Sequence, residues 1–225
     1  FWESMASEAE AAKAELAARV QALQAQARTQ PAQAVTKLVA AANTAAATLQ
    51  LSEADTRKLI DEQLVAAGWA ADTASQTYAK GARPQKGKNL AIAEWPTQSG
   101  PADYVLFVGL TPVAVVEAKR KNVDVSGSLQ QAKRYSRDFG AVAGLEMPSV
   151  IGQGAEAIKI PFAFSSNGRP FLRQLATKSG VWFCDLRRTD NLSQPLDGWY
   201  TPEGLVALLK RDESKAHEKL ANEPF

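Results

Sequence analysis

The chain has 225 residues, 45% hydrophobic and 22% charged, with a formal net charge of +2. That balance excludes a disordered or fibrous protein, allows one large domain or a domain of about 150–200 residues with a helical attachment, and is too weakly basic to announce a nucleic-acid partner by itself. With one cysteine, Cys184, and one histidine, His217, the chain cannot build an internal disulfide, a structural zinc site or Ser/His/Asp chemistry, so any catalysis must use carboxylates, lysines and hydroxyls.

No run reaches the roughly 18 apolar residues that cross a bilayer, and no N-terminal stretch reads as a secretory signal; the expectation is a soluble, cytoplasmic protein. Residues 1–50 are rich in alanine and glutamine, and Leu16, Val20, Leu23 and Ala27 recur at helical spacing. Pro31 interrupts the pattern, and a second helix is expected over 34–49, giving an appended N-terminal helical hairpin. Ser52 and Asp55 make a capping-box-like start to a helix over 53–67, whose face of Thr56, Leu59, Ile60, Gln63, Leu64 and Ala67 ends at Gly68. Glu53 falls on the inward stripe of that helix, while Arg57 and Asp61 fall on another.

From Thr77 to Lys88 a polar stretch with glycine and proline predicts a mobile loop. Its GARPQKGKN run is no phosphate loop, because five residues separate the glycines where four are needed and Asn89 stands where a Ser or Thr must meet magnesium. Leu90–Glu94 predicts a strand, and Tyr104–Val108 and Val113–Ala118 predict two more, joined across GLTP as a hairpin. A helix follows over Leu129–Phe139, then a strand over Ile160–Ser165 that runs into the turn dipeptide Asn167-Gly168. A strand over Val181–Asp185 and a helix over Pro202–Leu209, capped by Thr201, complete the pattern. The order α-β-β-β-α-β-β-α specifies an α/β domain, a mixed β-sheet flanked by helices, spanning residues 51–211, with 212–225 as a charged tail or linker. Trp69, Trp182 and Trp199 are expected to pack in the core or at its rim, and Cys184 to be a buried thiol.

The chemistry concentrates in ADYVLFVGLTPVAVVEAKRK, residues 102–121. Side chains alternate along a strand, so Glu117 and Lys119 project to one face and Ala118 to the other. If the hairpin loop holds an odd number of residues centred on Leu110, Asp103 lies across from Glu117 on that face; otherwise a bulge must turn it. Two carboxylates about 4 Å apart repel by about 4 kcal/mol at an effective dielectric near 20, so something positive must sit between them. Lys119 supplies one charge. Two hard oxygens with the Ala118 carbonyl suit a magnesium ion, with manganese as a substitute, and metal with lysine makes a hydrolytic centre. Glu94, at the end of its strand and just before Trp95-Pro96, could enter the site, though an exposed strand end is the expectation. Basic residues flank the stretch as Lys80, Arg83, Lys86 and Lys88, as Lys119, Arg120 and Lys121, and as Lys133, Arg134 and Arg137.

Pro101-Ala102-Asp103 followed by Glu117-Ala118-Lys119 resembles the PD-(D/E)XK nuclease motif, and Gln131-Ala-Lys-Arg-Tyr135 resembles the QxxxY element of one branch of those nucleases. Spacing i and i+4 places Gln131 and Tyr135 on one helical face. The stretches EADTRKLIDEQLVAAGW, NLAIAEWPTQSGPADYVLFVGLTPVAVVEAKRKN, QQAKRYSRDF, IPFAFSSNGRPF and TKSGVWFCDLR together resemble the N-terminal portion of the restriction (R) subunit of type I restriction-modification enzymes. That resemblance implies a restriction-endonuclease-like core that cuts double-stranded DNA with magnesium. It also implies partner modification and specificity subunits that supply target recognition, and an ATP-driven translocase region beyond this chain. Carried over by motif, Asp103 and Glu117 are metal ligands with Ala118, and Lys119 is the catalytic amine. Gln131 and Tyr135 steady the site or touch DNA, Glu53 is a candidate additional acid, and Lys86, Lys88 and Arg134 are candidate phosphate contacts. Two other readings stay open at this point: a non-catalytic module docking DNA or a sister subunit, and an enzyme acting on a small phosphorylated substrate, the latter disfavoured by the missing glycine-rich cradle.

Overall fold

The computed structural model describes residues 54–120, 124–140, 142–188 and 190–211, together with the isolated residues 15, 18, 19, 22 and 222. The expected helical hairpin over 1–50, the cap at Ser52, Glu53, Lys121, His217 and the 212–225 tail lie outside the described residues, apart from helical backbone at 15, 18, 19 and 22 and the single residue 222.

Helix α1 occupies residues 54–66 and buries Thr56, Ile60 and Leu64, spaced four apart. It ends in a Schellman pattern, with Gly68 N–H donating to Val65 O and Trp69 N–H to Leu64 O. Among the described residues seven strands follow in one sheet whose spatial order is the chain order: β1 Ala70–Ala71, β2 Asn89–Trp95, β3 Ala102–Val108, β4 Thr111–Ala118, β5 Phe162–Ser166, β6 Val181–Asp185 and β7 Gln194–Leu196. The β1–β2 and β4–β5 pairs are parallel and the others antiparallel, so the sheet is mixed as expected. Helix α2, Leu129–Arg137, lies in the crossover from β4 to β5, and α3, Pro202–Leu209, starts under the Thr201 hydroxyl, which accepts Gly204 N–H at 3.1 Å.

Both sheet faces are covered, which is why β3 and β4 read as nearly continuous apolar runs. One face buries Tyr104, Leu106, Ala114, Val116, Phe162 and Phe164 against Ile60, Leu64 and Leu205. The other buries Ile92, Val105, Phe107, Val115 and Ala163 against Leu129, Ala132 and Phe139. Trp69 is buried and donates to Tyr200 O at 2.9 Å, Trp199 donates to Gln63 Oε1 at 3.1 Å, and Cys184 is a buried free thiol.

The β3–β4 hairpin departs from the simple expectation. Val108 pairs with Thr111, so the loop is the even pair Gly109-Leu110, and Thr111 and Pro112 belong to the strand. Phe107 then pairs with Pro112 but Leu106 with Ala114, leaving Val113 as the extra residue of a β-bulge. The short strands β1 and β7 carry too few residues for a periodic signal, and Pro195 inside β7 reads as a breaker although an edge strand tolerates it. Asn167-Gly168 does turn the chain, but into a longer excursion before β6. Gly168, with φ 73°, lets that excursion approach α1, where a Cβ would sit 3.0 Å from Leu59 Cβ. The Thr77–Lys88 stretch does not hang free: Thr77 bridges to Ala93, Tyr78 sets its edge on Trp95, and Arg83 stacks on Tyr78 at 3.6 Å.

Candidate active site

The open end of the β3–β4 hairpin carries the charges. Tyr104 pairs with Val116, and one step outward along that register sets Asp103 opposite Glu117. The bulge at Val113 makes this possible: with the two-residue loop and no bulge, Asp103 would face Val116 and Glu117 would turn to the opposite side of the sheet. Ala118 N–H donates to Asp103 Oδ2 at 2.8 Å, which ties the tail of β4 to the head of β3. Lys119 continues the strand's pairing through its N–H to Ser166 O at 2.8 Å. Its ammonium forms an ion pair with Glu117 Oε1 and donates to Gln131 Oε1 at 3.0 Å. Gln131 Nε2 in turn donates to the Tyr135 hydroxyl at 2.7 Å. Asp103, Glu117, Ala118, Lys119, Gln131 and Tyr135 therefore form one connected cluster, as alternation along β4 and the i, i+4 spacing on α2 require.

Arg57 joins the cluster although no sequence feature assigns it there, and Glu94, a strand end that could enter the site or stand exposed, does both. Arg57 Nη2 donates to Asp103 Oδ1 at 2.6 Å, and its Nη1 donates to Glu94 Oε1 at 3.2 Å. Nothing local points to this contact, which spans 46 residues to Asp103 and 37 to Glu94; the sole hint is that Arg57 shares a stripe of α1 with Asp61. Asp61 itself accepts from the Tyr104 hydroxyl at 2.9 Å. Burial and the Asp61 charge push the Tyr104 pKa up, so Tyr104 is a neutral core anchor. A cavity of about 520 Å³ opens beside Arg57 and Glu94, with Lys58, Asp61, Asp72 and Thr73 among its lining residues.

Other candidates stand apart. Lys86 and Lys88 are exposed and lie beside the hairpin turn, where Gly109 N–H donates to Lys88 O. Six residues of strand, about 20 Å at 3.3 Å each, separate that end from Asp103. Arg134 is exposed on α2, next to the stripe that carries Gln131 and Tyr135. Glu94 is about half exposed, as expected for a strand end, yet engaged by Arg57.

The electrostatics are those of two acids held together. Burial first, and the Asp103 charge second, push the Glu117 pKa up to about 7, while Lys119 pulls it back down. Glu117 Oε2 is buried and, among the described residues, accepts no hydrogen bond, and the same is true of the hydroxyl of Ser165, the in-register neighbour of Glu117 on β5. Buried polar atoms without partners are rare and cost roughly 1–3 kcal/mol each. Such an orphaned carboxylate oxygen beside a second carboxylate is a donor set that fits a hard divalent cation. Among the described residues no three His, Cys, Asp or Glu side chains gather into a metal-holding group, so the fit is to an ion that keeps several waters, as magnesium does.

The chain matches, over residues 70–209, the family model of the second domain of the type I restriction enzyme EcoKI endonuclease subunit. It is 43% identical over 202 residues to the type I restriction enzyme EcoKI endonuclease subunit of Escherichia coli (strain K12), an alignment covering 79% of this chain and 17% of that protein. No solved structure matches, and among the described residues no helix is long and apolar enough to cross a membrane. The chain thus spans about a sixth of the relative's length, and its α1, which packs into the same core, precedes the residues that the family model matches. With the motif residues assembled at one sheet end and both comparisons agreeing, this chain belongs to the family of type I restriction enzyme endonuclease subunits.

Proposed function

We propose that residues 51–211 form the DNA-cutting unit of a type I restriction enzyme, hydrolysing phosphodiester bonds of double-stranded DNA with magnesium in the cytoplasm. The single observation that carries this reading is the convergence of Asp103 and Glu117 on one face, with Lys119 held between Glu117 and Gln131. Asp103, Glu117 and the Ala118 carbonyl would hold the ion, which when bound supplies charge neutralisation at the phosphate and a more acidic water. Glu117 enters that role as an anion, so it gives up the proton that burial favours. Lys119 keeps its ammonium in place through Gln131, directs it at the attacking water or a phosphate oxygen, and balances charge as the bond breaks. Tyr135 fixes the amide of Gln131, so that Oε1 faces the lysine.

Arg134, Lys86 and Lys88 are assigned to phosphate contacts, which position DNA without reading bases. Target recognition falls to modification and specificity subunits, and ATP serves a translocase region beyond this chain, toward which residues 212–225 lead. The test is magnesium-dependent cleavage by the full-length subunit in its complex with Lys119→Ala: retained cutting rejects the assignment. A docking module without catalysis predicts instead that Asp103→Ala leaves Mn²⁺ binding, read by calorimetry, unchanged.

A further inference from the structure

The sheet register sets three carboxylates in one row. Ala93 pairs with Tyr104 and Trp95 with Ala102, so Glu94 of β2 stands opposite Asp103 of β3, which stands opposite Glu117 of β4. Glu94 is the one non-glycine among the described residues with a positive φ, 55°. A side chain with a Cβ seldom takes that conformation, because Cβ crowds the carbonyl oxygen. No tight turn demands it here, since both sequence neighbours are paired within the strand. Strain of this kind persists where the surroundings impose it, and it collects at functional sites.

What the unusual backbone accompanies is visible in the contacts. Glu94 Oε1 accepts one arm of the Arg57 guanidinium, and the other arm holds Asp103 Oδ1. Arg57 arrives from α1, which packs on the sheet face opposite α2. With Ala118 N–H on Oδ2, both oxygens of Asp103 are fixed from outside the acid pair. An ionised carboxylate offers about four acceptor sites, more than the Arg57 and Ala118 donors take. Glu94, by contrast, is 48% exposed and engaged by Arg57, while Glu117 is 3% exposed.

We propose that Glu94 and Arg57 are positioning residues: the left-handed backbone of Glu94 aims its carboxylate at Arg57, and the Arg57 fork holds Asp103 in the orientation that receives the divalent ion, with Glu94 outside the ion's ligand set. The inference rests on the metal-assisted reading above. It differs from a plain clasp between α1 and the sheet, which would affect stability alone, and from a third carboxylate ligand.

The experiment uses the full-length subunit with Glu94→Gly, Glu94→Gln and Asp103→Ala, read by Mn²⁺ calorimetry and by thermal unfolding without metal. Glycine adopts the positive φ freely, so Glu94→Gly is expected to unfold at the wild-type temperature or above it. It should bind Mn²⁺ about 10-fold more weakly, the loss typical of removing a group that orients a ligand. Glu94→Gln keeps an oxygen that accepts the guanidinium N–H, and its Mn²⁺ affinity is expected to stay within about threefold of wild type, as it could not for a charged ligand. Wild-type affinity in Glu94→Gly overturns the proposal in favour of the clasp, and so does a lowered unfolding temperature in that variant. Affinity in Glu94→Gln as poor as in Asp103→Ala overturns it in favour of direct ligation. If Asp103→Ala binds Mn²⁺ like wild type, the metal-assisted reading falls and this inference with it; if Asp103→Ala loses the ion while Glu94→Gly does not, the positioning role alone fails.

Discussion

The two ends of the β3–β4 hairpin are made from the same strands and behave in opposite ways. The turn end closes through Gly109-Leu110, with Val108 paired to Thr111 and backbone hydrogen bonds from Gly109 N–H to Lys88 O and from Glu146 N–H to Leu110 O. The open end gathers Asp103, Glu117 and Lys119, adds Arg57 from α1 and Gln131 from α2, and leaves one buried carboxylate oxygen without a donor. Between them lies the Val113 bulge, which lets a two-residue turn coexist with both acids on one face. The lesson is that stability and chemistry are separable along one hairpin: the turn sets where the strands meet, and the bulge sets which side chains meet.

The sharpest break in the comparison comes from Lys119→Ala at the open end. Cleavage by the full complex is expected to fall by about 10²–10³-fold, the usual span for losing a preorganised charge-stabilising donor, with DNA binding measured by gel shift largely retained. Second in size is Glu117→Gln, read as metal-free stability against pH. Because the folded Glu117 titrates near 7, above its value in the unfolded chain, the native state keeps a proton that the unfolded state releases. Wild-type stability therefore declines as pH rises from about 4.5 to about 7 and levels off beyond. Glu117→Gln is expected to gain over wild type by on the order of 1–3 kcal/mol at pH 8 and by little at pH 4, as measured in urea; a gain at low pH alone would contradict the burial argument.

At the turn end the expected effects are smaller and of another kind. Gly109 has φ 61° and nothing closer than 3.9 Å to an added Cβ, so Gly109→Ala meets a backbone penalty and no clash. It should lower stability by about 1–2 kcal/mol while Mn²⁺ affinity stays that of the wild type. Smallest of all, Lys86→Ala with Lys88→Ala should leave the cutting rate unchanged. It should make the salt dependence of DNA binding shallower by about 0.9 in log–log slope for each phosphate that the two lysines no longer neutralise.

Much of the open end was legible in the residues themselves. Alternation along Val113–Ala118 put Glu117 and Lys119 on one face, and the spacing of Gln131 and Tyr135 put both on one stripe of α2; the hydrogen bonds to Lys119 and between the two confirm that geometry. The grip of Arg57 on Asp103 and Glu94 was not legible, because it depends on how α1 docks and on a single unusual torsion at Glu94. Lys86 and Lys88 flank the acid-bearing stretch in the sequence, but β2, seven residues long, carries the chain away from them to the other end of the sheet.

The sequence by itself determined the helices and the five longer strands of the described core, the α/β class, the acid–acid–lysine set and its glutamine–tyrosine support, since strand alternation and helical period are local geometric rules that each segment obeys alone. Only the tertiary structure decided that the hairpin loop is even and the bulge restores the shared face, that Arg57 grips Asp103, and that Glu117 is buried deeply enough to hold a proton near neutrality. Those outcomes depend on register, docking and desolvation, which are sums over contacts between segments distant in the chain and have no signature in any one of them.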